Sequence, residues 1–77
     1  MLVYAYTYTH MSFSTQRKER IEAIEEEVKE KEPAYSQMIA EIQYDFGVSE
    51  AKAEEYIEVL LEAGKVTKND KGNLEAA

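Results

Sequence analysis

The sequence predicts a mainly α fold with a small β-hairpin: three helices around one core, closed by two short strands. Three observations carry that prediction. Apolar residues recur at helical spacing in three stretches, separated by Pro33 and by Gly47-Val48-Ser49. Of the 16 acids 14 are Glu, and of the 9 bases 7 are Lys, both good helix formers. The segment 65–75 holds Asn69-Asp70-Lys71-Gly72 between two apolar positions, which is turn chemistry. A chain of 77 residues has room for one small core.

Residues 1–10 stand apart. No side chain there has a formal charge, and Leu2, Tyr4, Tyr6 and Tyr8 alternate with Val3, Ala5, Thr7 and Thr9. Period two with aromatic and β-branched residues reads as a strand. The His10-Met11 junction equally fits a leader left by cloning ahead of a natural start at Met11. Both readings stand at this level, and the domain proper is expected over residues 11–77.

The first helix is expected over 15–32. Ile21, Ile24 and Val28 form its apolar stripe, and Ser14 or Thr15 offers an N-cap. Glu25–Lys29 and Glu27–Lys31 lie at i, i+4 with the acid first, the favourable order. Pro33 ends the helix, because the residue before proline is pushed out of the right-handed helical region. The second helix is expected over 34–46, with Tyr35, Met38, Ile39, Ile42 and Phe46 on one face. Ser36 is its expected N-cap, or Pro33 its first-turn residue, and Gly47 follows where positive φ is needed.

The third helix is expected over 50–63, capped by Ser49 and closed by Gly64. Ala53, Ile57, Leu60 and Leu61 form its buried stripe. The hairpin pairs Lys65–Lys68 with Asn73–Glu75, with Val66 and Leu74 pointing inward. The expected core is Ile21, Ile24, Val28, Met38, Ile39, Ile42, Phe46, Val48, Ala53, Ile57, Leu60, Leu61 and Val66. Tyr35, Tyr44 and Tyr56 are expected at its border, with their hydroxyls reaching water.

Several chemistries are excluded by residue inventory. There is no cysteine and one histidine, so no thiolate or two-histidine metal site exists. Glu25-Glu26-Glu27 on one straight helix splay outward and do not converge on a cation. Residues 69–73 lack the alternating acids of a calcium loop. The glycines at 47, 64 and 72 form no phosphate-binding loop, and Ser36 and Ser49 are explained as caps. No enzyme, metal, cofactor or small-molecule substrate is expected. No run approaches the roughly 20 apolar residues of a membrane span, and no secretory signal is present, so a cytoplasmic location without membrane contact is expected.

Gly47-Val48-Ser49, then Ala53, Ile57, Leu60, Leu61 and Gly64-Lys65-Val66, then Gly72, lie in an order that resembles a winged helix-turn-helix domain. The likeness covers about residues 16–75. It is similar in layout to small archaeal or viral winged-helix regulators and to the C-terminal domain of archaeal replicative helicases. Two features depart from the pattern. Ala40 and Gly47 are seven apart, which lengthens the second helix by about one turn. Over residues 49–64, the stretch of the recognition helix, one Lys stands against five Glu.

The resemblance implies a small DNA-binding protein that regulates transcription or replication. Phosphates want Lys and Arg, and these cluster. Arg17, Lys18 and Arg20 open the first helix, Lys65, Lys68 and Lys71 lie in the wing, and Lys52 sits on the third helix. Double-stranded DNA is therefore one expected partner, contacted through the wing and the start of helix one. The net charge of −7 and the acidic third helix support the alternative: a winged-helix protein-interaction module that does not bind DNA and takes a basic protein partner. A homodimer through residues 1–10 or helix one is compatible with both.

Overall fold

The structure is a computed structural model that describes the backbone of residues 2–77 and the side chains of residues 16–77. Its elements are α1 (Leu2–Lys31), α2 (Tyr35–Phe46), α3 (Glu50–Glu62), β1 (Val66–Lys68) and β2 (Leu74–Ala76). The fold is mainly α with a small two-stranded hairpin, and the order of elements is compatible with a winged-helix topology.

α1 begins well before residue 15, and from Leu2 onward the backbone is helical where a strand is one of the two expectations for residues 1–10. A strand needs a neighbour for its N–H and C=O groups, whereas a helix satisfies them within itself. The side chains of residues 1–15 lie outside the described residues, and with them lie the Tyr4, Tyr6 and Tyr8 stripe and the leader reading.

Each helix ends on a left-handed residue, but not each on a glycine. Glu32 closes α1 at φ 46, its N–H donating to the Val28 carbonyl at 2.9 Å. Gly47 closes α2 at φ 65 and donates to Gln43 at 2.9 Å. α3 ends in a Schellman pair, with Gly64 N–H on Leu61 and Lys65 N–H on Leu60. Ser49 caps α3 as expected, its Oγ accepting from the Lys52 N–H at 3.2 Å.

The N-cap of α2 is a correction. Ser36 does not cap it and Pro33 lies outside its first turn; the N-cap is Ala34, in extended conformation and without a side-chain bond. The Tyr35 N–H is satisfied from the hairpin instead, by the Gly72 carbonyl at 3.1 Å. Leu74 N–H returns the contact to the Pro33 carbonyl at 2.8 Å, so Ala34 forms a one-residue bridge with Asn73. This bridge lays the α1–α2 connection against the hairpin as a third, minimal strand.

The hairpin is antiparallel, with Val66 opposite Ala76, Thr67 opposite Glu75 and Lys68 opposite Leu74. Asn69 organises its turn. Its Oδ1 accepts from the N–H of Lys71 at 2.9 Å and of Asn73 at 3.0 Å, and its Nδ2 donates to Glu75 at 3.0 Å. Gly72 supplies the positive φ, 84°.

The core joins Ile24 and Val28 of α1, Met38, Ile39 and Ile42 of α2, and Ala53, Tyr56, Ile57 and Leu60 of α3 to Val66 and Leu74. Fully burying a Val, Leu or Ile contributes about 1.5–3 kcal/mol, so these few residues dominate the stability of so small a domain. Ile21, Phe46, Val48 and Leu61, expected inside, are only partly buried around the cluster. Tyr56 is 4% exposed and belongs to the core, while Tyr44, expected at the border, is 89% exposed. Tyr44 lies outside the stripe set by Met38, Ile39 and Ile42.

Candidate functional site

Of the seven cations singled out by the sequence, six separate into two groups of three, and Lys18 belongs to neither. Arg17, Arg20 and Lys52 come together where the side of α1 meets α3. There they contact protein groups. The Arg20 guanidinium is half-buried, donates to the Tyr56 hydroxyl at 3.2 Å and lies 5.4 Å from the centre of the Phe46 ring. Arg17 reaches the Glu55 carboxylate at 3.6 Å, and Lys52 reaches the same oxygen at 3.2 Å. Glu55 is thus a shared counter-ion for both. Lys18, one residue on from Arg17, turns to solvent and has no ion pair among the described residues.

Lys65, Lys68 and Lys71 form the second group, on the hairpin. All three are exposed. The Lys68 ammonium lies 4.7 Å from the centre of the Tyr35 ring, a cation–π contact that ties β1 to the start of α2. Lys65 and Lys71 have no side-chain partner among the described residues.

α3 presents the opposite charge. Glu50, Glu54, Glu55, Glu58 and Glu62 are exposed, and Lys52, the one base on this helix, is held by Glu55. Burial of the Ala53, Tyr56, Ile57 and Leu60 stripe forces this outcome, since the remaining helical positions must face outward. The field is felt at Tyr35. Its pKa is raised, first by burial and then by the carboxylates of Glu54, Glu58 and Glu50.

Between the start of α2 and α3 runs a groove of about 280 Å³, lined by Tyr35, Ile39, Ala40, Gln43, Glu50 and Glu54. Ser36 stands at its edge. Sequence reasoning places Tyr35 at the core border, where it lies, and gives it no functional role. Its only signal is an aromatic residue two positions after Pro33 and four before Ile39, which reads equally as a core-border residue.

The last turns of α1 carry local ion pairs. Lys31 donates to Glu27 at 2.8 Å, and Lys29 lies 3.8 Å from both Glu25 and Glu26. The Lys31 hydrogen bond holds the Glu27 carboxyl below its ordinary value, against a smaller opposing effect of burial. These acids are paired along their own helix and form no cluster placed to hold a metal among the described residues. No helix among them is long and apolar enough to cross a membrane.

Comparisons with protein-family models, with curated proteins and with solved structures find no match to this chain.

Proposed function

We propose that this chain is a winged-helix protein-interaction module whose acidic α3 face receives a basic segment of a partner protein. The observation that carries the reading is the α3 surface: five exposed carboxylates against one lysine, itself paired. In a winged helix, this is the helix that would enter a DNA groove. A surface of Glu meets the phosphate rails with repulsion, whereas binding to DNA gains by neutralising phosphates with Lys and Arg. Arg17, Arg20 and Lys52, which would supply that neutralisation, are engaged with Glu55, Tyr56 and Phe46. The winged-helix assignment itself is supported by the Gly47-Val48-Ser49 turn, the Schellman end of α3 and the Ala34–Asn73 bridge beside the hairpin.

The test is fluorescence anisotropy of a labelled 14-residue amphipathic Lys/Leu peptide titrated with the full chain at about 50 and 200 mM salt. Binding that weakens as screening shortens from roughly 14 Å toward 7 Å supports the reading. No binding at the lower salt overturns it.

A second reading keeps DNA as partner, contacted through the wing alone. One observation favours it: Lys65 and Lys71 are exposed and without partners among the described residues. On that reading Lys65→Ala with Lys71→Ala abolishes duplex binding, while substitutions on α3 leave it unchanged.

A further inference from the structure

The groove between the start of α2 and α3 adjoins the acidic face of α3. Its lining is mixed: Ile39 is buried, Tyr35 and Gln43 are half-buried, and Ser36 and Ala40 are exposed. Its rim carries Glu50 and Glu54, which lie at i, i+4 on α3. At about 280 Å³ it falls just under the pockets that hold small-molecule ligands, which run from about 300 to 1,000 Å³. That size suits one or two side chains. The chemistry of the occupant is set by the walls. Apolar groups take an aliphatic stem, and an aromatic ring beside carboxylates takes a cationic head. The ring already accepts a cation from outside the groove, since the Lys68 ammonium lies 4.7 Å from the Tyr35 ring centre and Lys68 is not among the groove's lining residues.

We infer that this groove seats a lysine or arginine side chain of a basic peptide segment from a partner protein, its stem over Ile39 and Ala40 and its charge between Tyr35, Glu50 and Glu54. The inference rests on the protein-interaction reading above and narrows it from a face to a place. An aromatic contact and two exposed ion pairs together amount to about tenfold in affinity.

The experiment titrates the labelled Lys/Leu peptide with four full-length chains: wild type, Ala40→Arg, Glu50→Gln/Glu54→Gln, and Glu58→Gln/Glu62→Gln. Ala40→Arg fills the groove with a cation at an exposed helical position, where arginine is nearly as good a helix former as alanine. The last variant removes the same charge from α3 outside the groove lining. Thermal melts show that each chain remains folded. The expected result is a loss of about tenfold for Ala40→Arg, which blocks the whole groove, about fivefold for Glu50→Gln/Glu54→Gln, which keeps the Tyr35 contact, and about twofold for the outer pair. Equal losses for the two Glu pairs, or unchanged binding by Ala40→Arg, overturn the groove while leaving the acidic-face reading intact. No binding by the wild-type chain overturns both.

Discussion

Replacing Arg20 with alanine is expected to destabilise the fold by about 2 kcal/mol, a cost that no surface cation would carry. The hydrogen bond from its Nη1 to the Tyr56 hydroxyl at 3.2 Å is part-buried, and losing it costs about 1 kcal/mol. The stacking over Phe46 at 5.4 Å adds about 0.5–1 kcal/mol. Tyr56 is 4% exposed, so its hydroxyl then has little water to turn to. For a domain of this size, 2 kcal/mol corresponds to a drop of about 8–16 °C in Tm. Urea unfolding gives the value directly, provided the slope with denaturant is unchanged. Tyr56→Phe completes a double-mutant cycle, in which the paired loss should be smaller than the sum of the single losses. Lys18→Ala, at an exposed position on the same helix, serves as the reference and should stay within about 0.5 kcal/mol of wild type. The reasoning is refuted if Arg20→Ala falls within that same margin, because Arg20 would then be a surface cation available to phosphates.

Further predictions concern the helix ends, the turn and one ion pair. Glu32→Gly should raise stability by about 0.5–1 kcal/mol, since a left-handed φ of 46° costs a side-chain-bearing residue about 1–2 kcal/mol and glycine returns part of that in chain entropy; thermal unfolding reads the sign. Asn69→Ala removes the acceptor for the Lys71 and Asn73 N–H groups and should cost about 1–2 kcal/mol, with faster amide exchange at Asn73 as its local signature. Lys31→Ala should lower stability slightly at neutral pH. The Glu27 carboxyl is held below its ordinary 4.5 by the Lys31 hydrogen bond, so the contribution is present above that value and lost as pH falls through the depressed one. Wild type and Lys31→Ala should therefore converge in acid, as acid titrations of the two chains would show.

The helical stripes, the positive-φ glycines, the Ser49 cap and the hairpin turn are legible in the sequence because each rests on neighbours along the chain. What escaped depends on contacts between distant segments. Arg17, Lys18 and Arg20 read as one basic cluster, yet on a helix Arg17 and Arg20 share a side that meets α3 while Lys18 turns away. Only the approach of Glu55 and Tyr56 separates them. The cap of α2 escapes local reading for the same reason. The carbonyl that satisfies Tyr35 comes from Gly72, far along the chain, so no local side chain was needed. Ala34 and Asn73 pair as single residues, too short a bridge to leave any periodicity. The alternation in residues 1–10 is a true pattern, but alternation makes a strand only where a partner strand exists. Of the candidate site, the acidity of α3 was visible as one Lys against five Glu in residues 49–64, while the groove beside Tyr35 required the packing of α2 on α3.

The most direct test of the central claim is fluorescence anisotropy of a labelled random-sequence duplex DNA titrated with the full chain at about 50 mM salt, repeated at about 200 mM. An acidic α3 and largely engaged arginines predict no micromolar binding at either concentration. Micromolar binding at low salt that fades at high salt, with a log–log slope near −2 or steeper and hence two or more phosphates neutralised, would contradict the account and return the chain to DNA.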